Sequence, residues 1–223
     1  MRERPILFSA PMVRALLAGT KTQTRRIVKP GPTYVTDAYG SRWQWPSKLA
    51  KSMVEPSEMG PLGPYGVVGD RLWVRETWYC DNFECTAAAR KTATPAQIAE
   101  WLEAFDYRAD HDCRNYEAEC PCGGNGEVSA WMPSIFMPRW ASRILLEVTD
   151  VRVEQLQAID ELDALAEGVE GRVVTSTLDG KPGEYVVGPA RDAYAALWDD
   201  INGDTMPWSS NPWVWVVSFK RAG

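Results

Sequence analysis

The sequence predicts an α+β fold. Strand-like stretches outnumber helical ones, and the helices fall between them at uneven intervals, which a doubly wound parallel sheet would not show. The chain has 223 residues, which suits one domain that carries insertions, and its sequence contains no internal repeat. We therefore expect a single domain over residues 1–223, with insertions at about residues 30–66 and 80–140.

The N-terminal elements are predicted to be a strand and a short helix. Residues 5–9 (PILFS) are typical of a short buried strand. Ser9 can cap a helix that has Pro11 in its first turn and ends at Gly19. Residues 20–26 (TKTQTRR) follow, and their hydroxyl and β-branched side chains favour an extended or turning backbone over a helix.

The middle of the chain contains one clear strand between two irregular segments. Residues 30–66 are rich in Pro, Gly and Ser, and we interpret them as a long surface loop. The Gly69-Asp70 pair predicts a turn into the strand RLWVRE. Residues 80–140 contain all five cysteines, the single histidine and the helix-like stretch PAQIAEWLEAF, and we interpret them as an insertion.

The C-terminal part alternates strands with helices. Residues 143–153 (RILLEVTDVRV) form the clearest strand of the sequence. Asp160 can cap a short helix that Gly168 closes. Residues 171–188 are typical of a hairpin. The helix RDAYAALWDDING then leads into the strand WVWVVSFK, whose alternate residues form one apolar face.

Composition excludes several classes of protein. The net charge is −6, whereas non-specific coating of nucleic acid needs a broad basic surface, although a local basic cleft is compatible. No stretch approaches the roughly 20 apolar residues of a membrane span, and no membrane partner is expected. The N-terminal residues are not typical of a signal peptide, and five cysteines cannot all pair within one chain. We therefore expect a reducing cytoplasm.

The basic segment at residues 20–26 is the first candidate site. Lys21 lies three residues before Thr24, so its ammonium can reach the threonine hydroxyl if the backbone turns. A threonine hydroxyl is a poor nucleophile until a base or a cation activates it. Arg25 and Arg26 add donors that suit a phosphate or the edge of a base. From the spacing alone, a solvated basic loop whose threonines bond nearby backbone groups is the simpler interpretation.

Two acidic residues are further candidates. Glu167 falls in the last turn of the predicted helix, where the helix dipole disfavours an acid by roughly 0.3–1 kcal/mol. A cation such as Lys21 facing it would explain that position. Glu76 follows Arg75 directly after a predicted strand. It can hold a substrate amine or neutralise an inward arginine in an internal salt bridge.

The cysteine-rich insertion is a candidate structural zinc site. Zinc takes four nitrogen or sulfur ligands in tetrahedral geometry, and CPCGG resembles half a zinc knuckle. The cysteine spacing is not the paired CxxC…CxxC pattern of many zinc sites, so free or buried thiols are the alternative. A single histidine is too few for a typical catalytic zinc site. The expected zinc ligands are His111, Cys113, Cys120 and Cys122, for which Cys80 or Cys85 can substitute.

Several segments together resemble ASCH-domain proteins, and in particular the long, tryptophan-rich ones of phages and prophages. These segments are RPILFSAPMVRALLAGTKTQTRR, VVGDRLWVRETW, RILLEVTDVRVEQL, the DALAEG helix and NPWVWVVSFKR. The resemblance leaves out most of residues 30–66 and 80–130. It implies a PUA-like fold, which is a small β-barrel with helices packed at its openings and a cleft for RNA or nucleotide ligands.

A small bacterial branch of that family hydrolyses N4-acetylcytidine with a Lys, a Thr three residues later and a Glu from the helix after the long central strand. Lys21 and Thr24 match the first two positions, and Glu167 is the best match for the third. The resemblance implies that Thr24 is the nucleophile, Lys21 its activator and Glu167 the proton shuttle, with no catalytic cofactor. This chain is much longer, and its insertions can reshape the cleft.

We therefore expect a protein that recognises a modified nucleoside or single-stranded rather than duplex RNA, and most concretely one that deacylates N4-acylated cytidine. A non-catalytic RNA- or DNA-binding module and a metal-independent ribonuclease, with Lys21 and Glu167 as acid and base, are the alternatives. The sequence identifies no protein partner. The expected substrate-binding residues are Arg25, Arg26, Arg75 and Glu76, with Trp78 or Trp140 stacking on the base.

Overall fold

The computed structural model describes residues 1–29, 31–37, 40–44, 63–80, 94, 96–97, 105–110, 131–170, 173–178, 181–186 and 190–222. Within them the chain has a mixed α+β fold, as predicted. The strands are β1 (Glu3–Leu7), β2 (Gln23–Ile27), β3 (Thr33–Asp37), β4 (Gly40–Gln44), β5 (Arg71–Arg75), β6 (Trp78–Cys80), β7 (Phe105–Tyr107), β8 (Leu145–Gln155), β9 (Val173–Leu178), β10 (Lys181–Val186) and β11 (Trp213–Arg221). The helices are α1 (Ala10–Leu17), α2 (Glu161–Ala166) and α3 (Ala190–Asn202), and single 3-10 turns occupy Arg108–Asp110, Ser134–Phe136, Arg139–Ala141, Leu156–Ala158 and Trp208–Ser210.

Five strands form the central sheet in the order β1-β5-β8-β11-β2. β1 and β5 are parallel, and the other neighbours are antiparallel. Among the described strands no pairing joins β1 to β2, so the sheet is open and not a closed barrel. This order places β2, which carries most of the basic segment, beside the C-terminal strand β11.

The open sheet is nevertheless strongly curled. Four strand spacings would separate β1 from β2 by about 19 Å if the sheet were flat. Arg26 of β2, however, donates a hydrogen bond of 2.6 Å from Nη2 to the carbonyl of Leu7 in β1. Its guanidinium also lies 5.3 Å from the ring centre of Phe8. An arginine side chain is far shorter than the flat separation, so the two edges of the sheet must approach each other.

Both faces of β11 are buried, in two different cores. Trp215, Val217 and Phe219 join the larger core with residues of β1, α1, β5 and β8. Val214 and Val216 point to the other face and pack with residues of α2 and α3. The two-residue period of a strand produces this division. The predicted apolar face of this strand is confirmed, and the second core explains why the intervening residues are apolar as well.

The C-terminal elements agree with the sequence predictions. Asp160 caps α2, because its carboxylate accepts a hydrogen bond of 2.7 Å from the amide of Asp163. Gly168 follows that helix with φ +86°. The strands β9 and β10 pair as an antiparallel hairpin. Ser9 occupies the N-cap position of α1 as predicted, although its side chain makes no capping hydrogen bond.

The predicted long loop at residues 30–66 differs from the structure at its start. There β3 and β4 pair as an antiparallel hairpin, from Thr33 opposite Gln44 to Asp37 opposite Gly40. The β-branched and aromatic residues of TYVT favour a strand, and the surrounding Pro and Gly hide that signal. Residues 45–62 and most of the helix-like stretch PAQIAEWLEAF lie outside the described residues.

None of the described helices is long and apolar enough to cross a membrane.

Candidate functional site

Residues of the basic segment line a cavity of about 400 Å³. Its polar lining comes from β2, the turn before it and the end of α2. Lys21, Thr24, Arg25, Arg26 and Glu167 supply most of this lining. The remaining lining is largely apolar and comes from the end of β1, α1 and α3, through Leu7, Phe8, Pro11, Met12, Tyr194, Leu197, Trp198 and Ile201.

The turn after α1 positions Lys21. The helix ends at Leu17, and Gly19 takes φ +76°, a backbone conformation that glycine adopts without a steric cost. The amides of Thr20 and Lys21 then donate to the carbonyl of Ala15 at 3.0 and 3.1 Å. The amide of Thr22 donates to the carbonyl of Ala166 at 2.8 Å, which fastens the turn to the end of α2.

Lys21 and Glu167 form a buried ion pair at this junction. The ammonium of Lys21 lies 2.8 Å from Oε2 of Glu167 and donates a second hydrogen bond of 2.7 Å to the backbone carbonyl of the same residue. Both residues are 3% exposed. A cation is favourable at the C-terminal end of a helix, where carbonyl groups lack partners. The contact predicted from the unfavourable position of Glu167 is therefore present.

Gly168 makes this close approach sterically feasible. Its φ of +86° is strained for any residue with a side chain. A Cβ atom at this position would lie 3.0 Å from Cβ of Ala15 and 3.1 Å from Cβ of Lys21. Only glycine therefore lets the chain leave α2 in this direction while Lys21 packs against it.

Arg25 connects Glu167 to two further carboxylates. Its Nη2 atom lies 2.6 Å from both Glu154 and Asp163, and its Nη1 atom lies 3.4 Å from Oε1 of Glu167. The hydroxyl of Tyr194 donates to the same Oε1 atom at 3.4 Å. Glu167 thus has three side-chain partners, and two of them carry a positive charge.

Burial and these charges shift several pKa values. Burial lowers the pKa of Lys21, and the attraction of Glu167 opposes that change. Burial also disfavours the charge of Arg25, but the attraction of Glu167, Glu154 and Asp163 outweighs it and raises the pKa of Arg25. Burial, reinforced by Glu167, raises the pKa of Tyr194 well above its ordinary value. Lys21 therefore gives up a proton more readily than an exposed lysine does.

Thr24 has a hydroxyl that is not committed to another group. The residue is buried, lies in β2 opposite Val217 and lines the cavity. Its hydroxyl makes no hydrogen bond to any part of the chain that the structure describes. Lys21 directs both of its side-chain hydrogen bonds to Glu167, so in this state the ammonium does not bond the threonine.

Comparisons with family models, curated proteins and solved structures found no match for the chain.

Glu76 lies outside the cavity and has an internal partner. Its two carboxylate oxygens each accept a hydrogen bond of 3.0 Å from Arg143. Arg143 also pairs with Asp110, at 2.6 and 2.9 Å, and lies 4.0 Å from the ring centre of Tyr107. Burial raises the pKa of Glu76 although Arg143 opposes it, and burial raises the pKa of Tyr107 to about 12. This arrangement is the internal salt bridge that the sequence left open.

The other predicted substrate-binding residues also lie away from the cavity. The Arg75 guanidinium lies 4.7 Å from the ring centre of Trp73. Trp78 is fully buried beside Met132, with which its backbone pairs, so its ring is not accessible for stacking. Trp140 lies in the 3-10 turn Arg139–Ala141. None of these side chains contributes to the lining of the cavity.

The predicted zinc ligands fall where the structure gives no side-chain geometry. His111, Cys113, Cys120 and Cys122 lie outside the described residues, as does Cys85. Cys80 is the last residue of β6. Among the residues that are described, no group of three or more His, Cys, Asp and Glu side chains is arranged to hold a metal ion.

Sequence patterns alone miss the aromatic part of the cavity. Tyr194 and Trp198 are four residues apart on α3 and thus share one face of that helix. Residues at this spacing are usually core, and both are indeed buried in the smaller core. Asp163 lies four residues before Glu167, so the two carboxylates share a face at the end of α2. This four-residue spacing could have predicted that both carboxylates contact the same cation, which is Arg25 in the structure.

Proposed function

We propose that the chain is an ASCH-type amidohydrolase of the cytoplasm that removes the acyl group from an N4-acylated cytidine. The observation that supports it most is the buried pair of Lys21 and Glu167, which are 146 positions apart and 2.8 Å from each other. Thr24 lines the same cavity, as the resemblance requires. The curled five-stranded sheet, with α1 and α3 lining the cavity at its edges, is compatible with a PUA-like fold, which we include in the proposal.

In the proposed reaction, Oγ of Thr24 attacks the carbonyl carbon of the acyl group and its proton passes to the neutral amine of Lys21. Burial favours that neutral form. The bond from the carbonyl carbon to N4 then breaks, and N4 takes up a proton that Lys21 supplies through Glu167, 2.8 Å away. Water hydrolyses the resulting acyl-threonine ester, which releases the carboxylic acid and restores Thr24.

Arg25 has one donor that a substrate can satisfy. Its Nε atom is buried and has no hydrogen-bond acceptor within the described residues, although the side chain lines the cavity. An unsatisfied buried donor costs about 1–3 kcal/mol. The carbonyl oxygen of the acyl group is an acceptor of the required kind, and it gains negative charge when Thr24 attacks. We assign Arg25 to that oxygen.

The rest of the cavity suits a planar, mostly apolar group. Its volume of about 400 Å³ is in the range of small-molecule sites. Phe8, Tyr194 and Trp198 contribute aromatic surface to the lining, and aromatic rings are suitable partners for a nucleobase. These features favour a nucleobase over a charged or strongly polar substrate.

The direct test is incubation with N4-acetylcytidine followed by chromatography of the nucleosides. Wild-type protein should produce cytidine, and Thr24→Val, Lys21→Met and Glu167→Gln should each reduce the rate by at least about a hundredfold. Thr20→Val is the matched control. It makes the same chemical change in the same segment, at an exposed threonine whose hydroxyl donates a hydrogen bond to the carbonyl of Ala15.

Two results would contradict the proposal. One is the absence of cytidine at high protein concentration. The other is a wild-type rate for Thr24→Val in protein whose circular dichroism spectrum is unchanged. Binding of N4-acetylcytidine without hydrolysis, equal in wild type and Thr24→Val, would instead favour the non-catalytic module.

A further inference from the structure

The last turn of α3 places an acidic side chain at the edge of the cavity. One face of this helix lines the cavity with apolar and aromatic side chains, which are Tyr194, Leu197, Trp198 and Ile201. Asp200 also lines the cavity. It follows Leu197 by three residues and therefore lies beside it on the helix surface. The apolar face of α3 thus ends at a carboxylate.

Nothing in the described part of the chain compensates the charge of Asp200. The C-terminal end of a helix disfavours an acid, and the last turn of α3 contains no basic residue. Asp199 occupies the same turn, but its carboxylate accepts a hydrogen bond of 2.6 Å from the amide of Trp208. Asp200 forms no ion pair and no hydrogen bond with any described residue. Both of its carboxylate oxygens therefore remain available as acceptors.

Asp200 lies about one nucleoside length from the proposed reacting groups. The hydroxyl of Tyr194 donates to Glu167 at 3.4 Å, so Tyr194 marks the reacting end of the cavity. Asp200 is six residues further along α3, which is about 9 Å along the axis at the usual rise of a helix. This separation is comparable with that between the exocyclic nitrogen of cytidine and its sugar hydroxyl groups. Leu197 and Trp198 lie between the two ends, where the base would be.

The charges of the cavity favour neutral donors as the partners of Asp200. Lys21, Arg25 and Arg26 already line the cavity, so they would repel a ligand that brought a further positive charge. A phosphate placed beside Asp200 would be repelled by its carboxylate. A hydroxyl group carries no charge and donates one hydrogen bond, and a carboxylate can accept from two hydroxyl groups at once. The adjacent 2′- and 3′-hydroxyl groups of ribose are such a pair.

We propose that Asp200 is a specificity-determining residue that accepts hydrogen bonds from the 2′- and 3′-hydroxyl groups of the substrate, which makes a free ribonucleoside the preferred substrate. The position of the base in this inference rests on the proposed function. Inside an RNA strand the 3′-hydroxyl group is esterified to a phosphate, which removes one donor and adds the charge that Asp200 repels. A free base or a 2′-deoxynucleoside lacks one or both donors and leaves the carboxylate without them.

The test measures the binding of N4-ethylcytidine by isothermal titration calorimetry. This compound has no carbonyl group and cannot be deacylated, so the measurement separates binding from hydrolysis. Wild-type protein should bind it about tenfold more tightly than N4-ethylcytosine or N4-ethylcytidine 3′-monophosphate. Asp200→Ala should remove this preference, and Asp200→Asn, which retains an acceptor, should restore part of it. Asp204→Ala is the matched control, because Asp204 is an exposed acid four residues away that does not line the cavity.

Several results would overturn this inference. These are no binding of N4-ethylcytidine at high protein concentration, equal affinity of wild type for N4-ethylcytidine and N4-ethylcytosine, an unchanged preference in Asp200→Ala, or an equal loss in Asp204→Ala. Tighter binding of the 3′-monophosphate than of the nucleoside would show a nucleotide or RNA substrate instead.

The same variants distinguish this inference from the proposed function. A sugar preference that depends on Asp200, without any release of cytidine from N4-acetylcytidine, would refute only the proposed function. Equal deacylation of N4-acetylcytidine and N4-acetylcytosine by wild type, with no difference in Asp200→Ala, would refute only the role of Asp200.

Discussion

Replacement of Glu167 by Gln should destabilise the protein more than replacement of Lys21 by Met. Among the described residues Glu167 has Lys21, Arg25 and Tyr194 as side-chain partners, whereas Lys21 hydrogen-bonds Glu167 and lies 5.6 Å from the ring centre of Phe8. Glu167→Gln leaves a buried ammonium without its counter-charge, and breaking a buried pair in this way costs about 3–5 kcal/mol. Lys21→Met leaves the carboxylate with Arg25, so we expect it to cost about 1.5–3 kcal/mol, which is the loss of hydrogen bonds to a charged group.

The loss of unfolding free energy in Glu167→Gln should become smaller as the pH rises. Burial already lowers the pKa of Lys21 from 10.5, and only Glu167 opposes that shift strongly. Without Glu167 the folded protein holds this proton less tightly than the unfolded chain does. Between the lowered value and 10.5 the unfolded state binds more protons, so stability should rise with pH, by at most about 1.4 kcal/mol per unit.

Urea unfolding at pH 6, 7, 8 and 9 measures both effects. The difference in unfolding free energy between wild type and Glu167→Gln should shrink as the pH rises. The double variant Lys21→Met/Glu167→Gln should be more stable at pH 7 than Glu167→Gln, because it contains no unpaired buried ammonium. A difference that is constant across the pH series, or a double variant less stable than Glu167→Gln, would refute the electrostatic account of this pair.

Three further predictions use the same measurements. Gly168→Ala should cost about 1–3 kcal/mol in urea unfolding, because it strains the left-handed backbone and crowds the residues beside it. Arg143→Met should cost about 3 kcal/mol at pH 7 and less at pH 4.5, because Glu76 is then buried without its cation and can be protonated. Tyr194→Phe should cost about 1 kcal/mol and slow deacylation, because Glu167 loses one hydrogen bond; an unchanged rate would exclude a positioning role for that hydroxyl.

Local patterns predicted most of the central sheet. The two-residue alternation in β8 and β11 is long enough to identify both strands, and the Gly-Asp pair marks the start of β5. The hairpin of β3 and β4 was not predicted, because its strands are short and Pro and Gly surround them. The short pairing of β6 with β7 gives no signal in the sequence either, because each strand has only three residues.

The candidate site could be predicted only where a local rule is broken. Glu167 stands at the helix end that disfavours an acid, and this misfit predicted its contact with Lys21. Neither Arg75 nor Glu76 occupies a position that breaks a local rule of this kind. Their positions depend on which face of β5 each side chain takes and on Arg143, which lies 67 positions from Glu76 in the sequence. Sequence spacing cannot identify a partner at that separation. The sequence therefore grouped Arg75 and Glu76 with the cavity residues, whereas the structure places both outside the cavity.

Stability alone does not explain the buried pair of Lys21 and Glu167, whereas the proposed reaction would. Removing two charges from water costs more than their attraction usually returns, and an apolar pair of the same size is often at least as stable. The pair could have been sealed in the core, yet both side chains line a cavity beside an uncommitted hydroxyl. The low dielectric that makes the pair costly also lowers the pKa of Lys21, and in the proposed reaction that shift would help the amine to accept a proton from Thr24. If the pair exists for catalysis at a cost in stability, the double variant Lys21→Met/Glu167→Leu should have a higher free energy of unfolding than wild type and no deacylation activity.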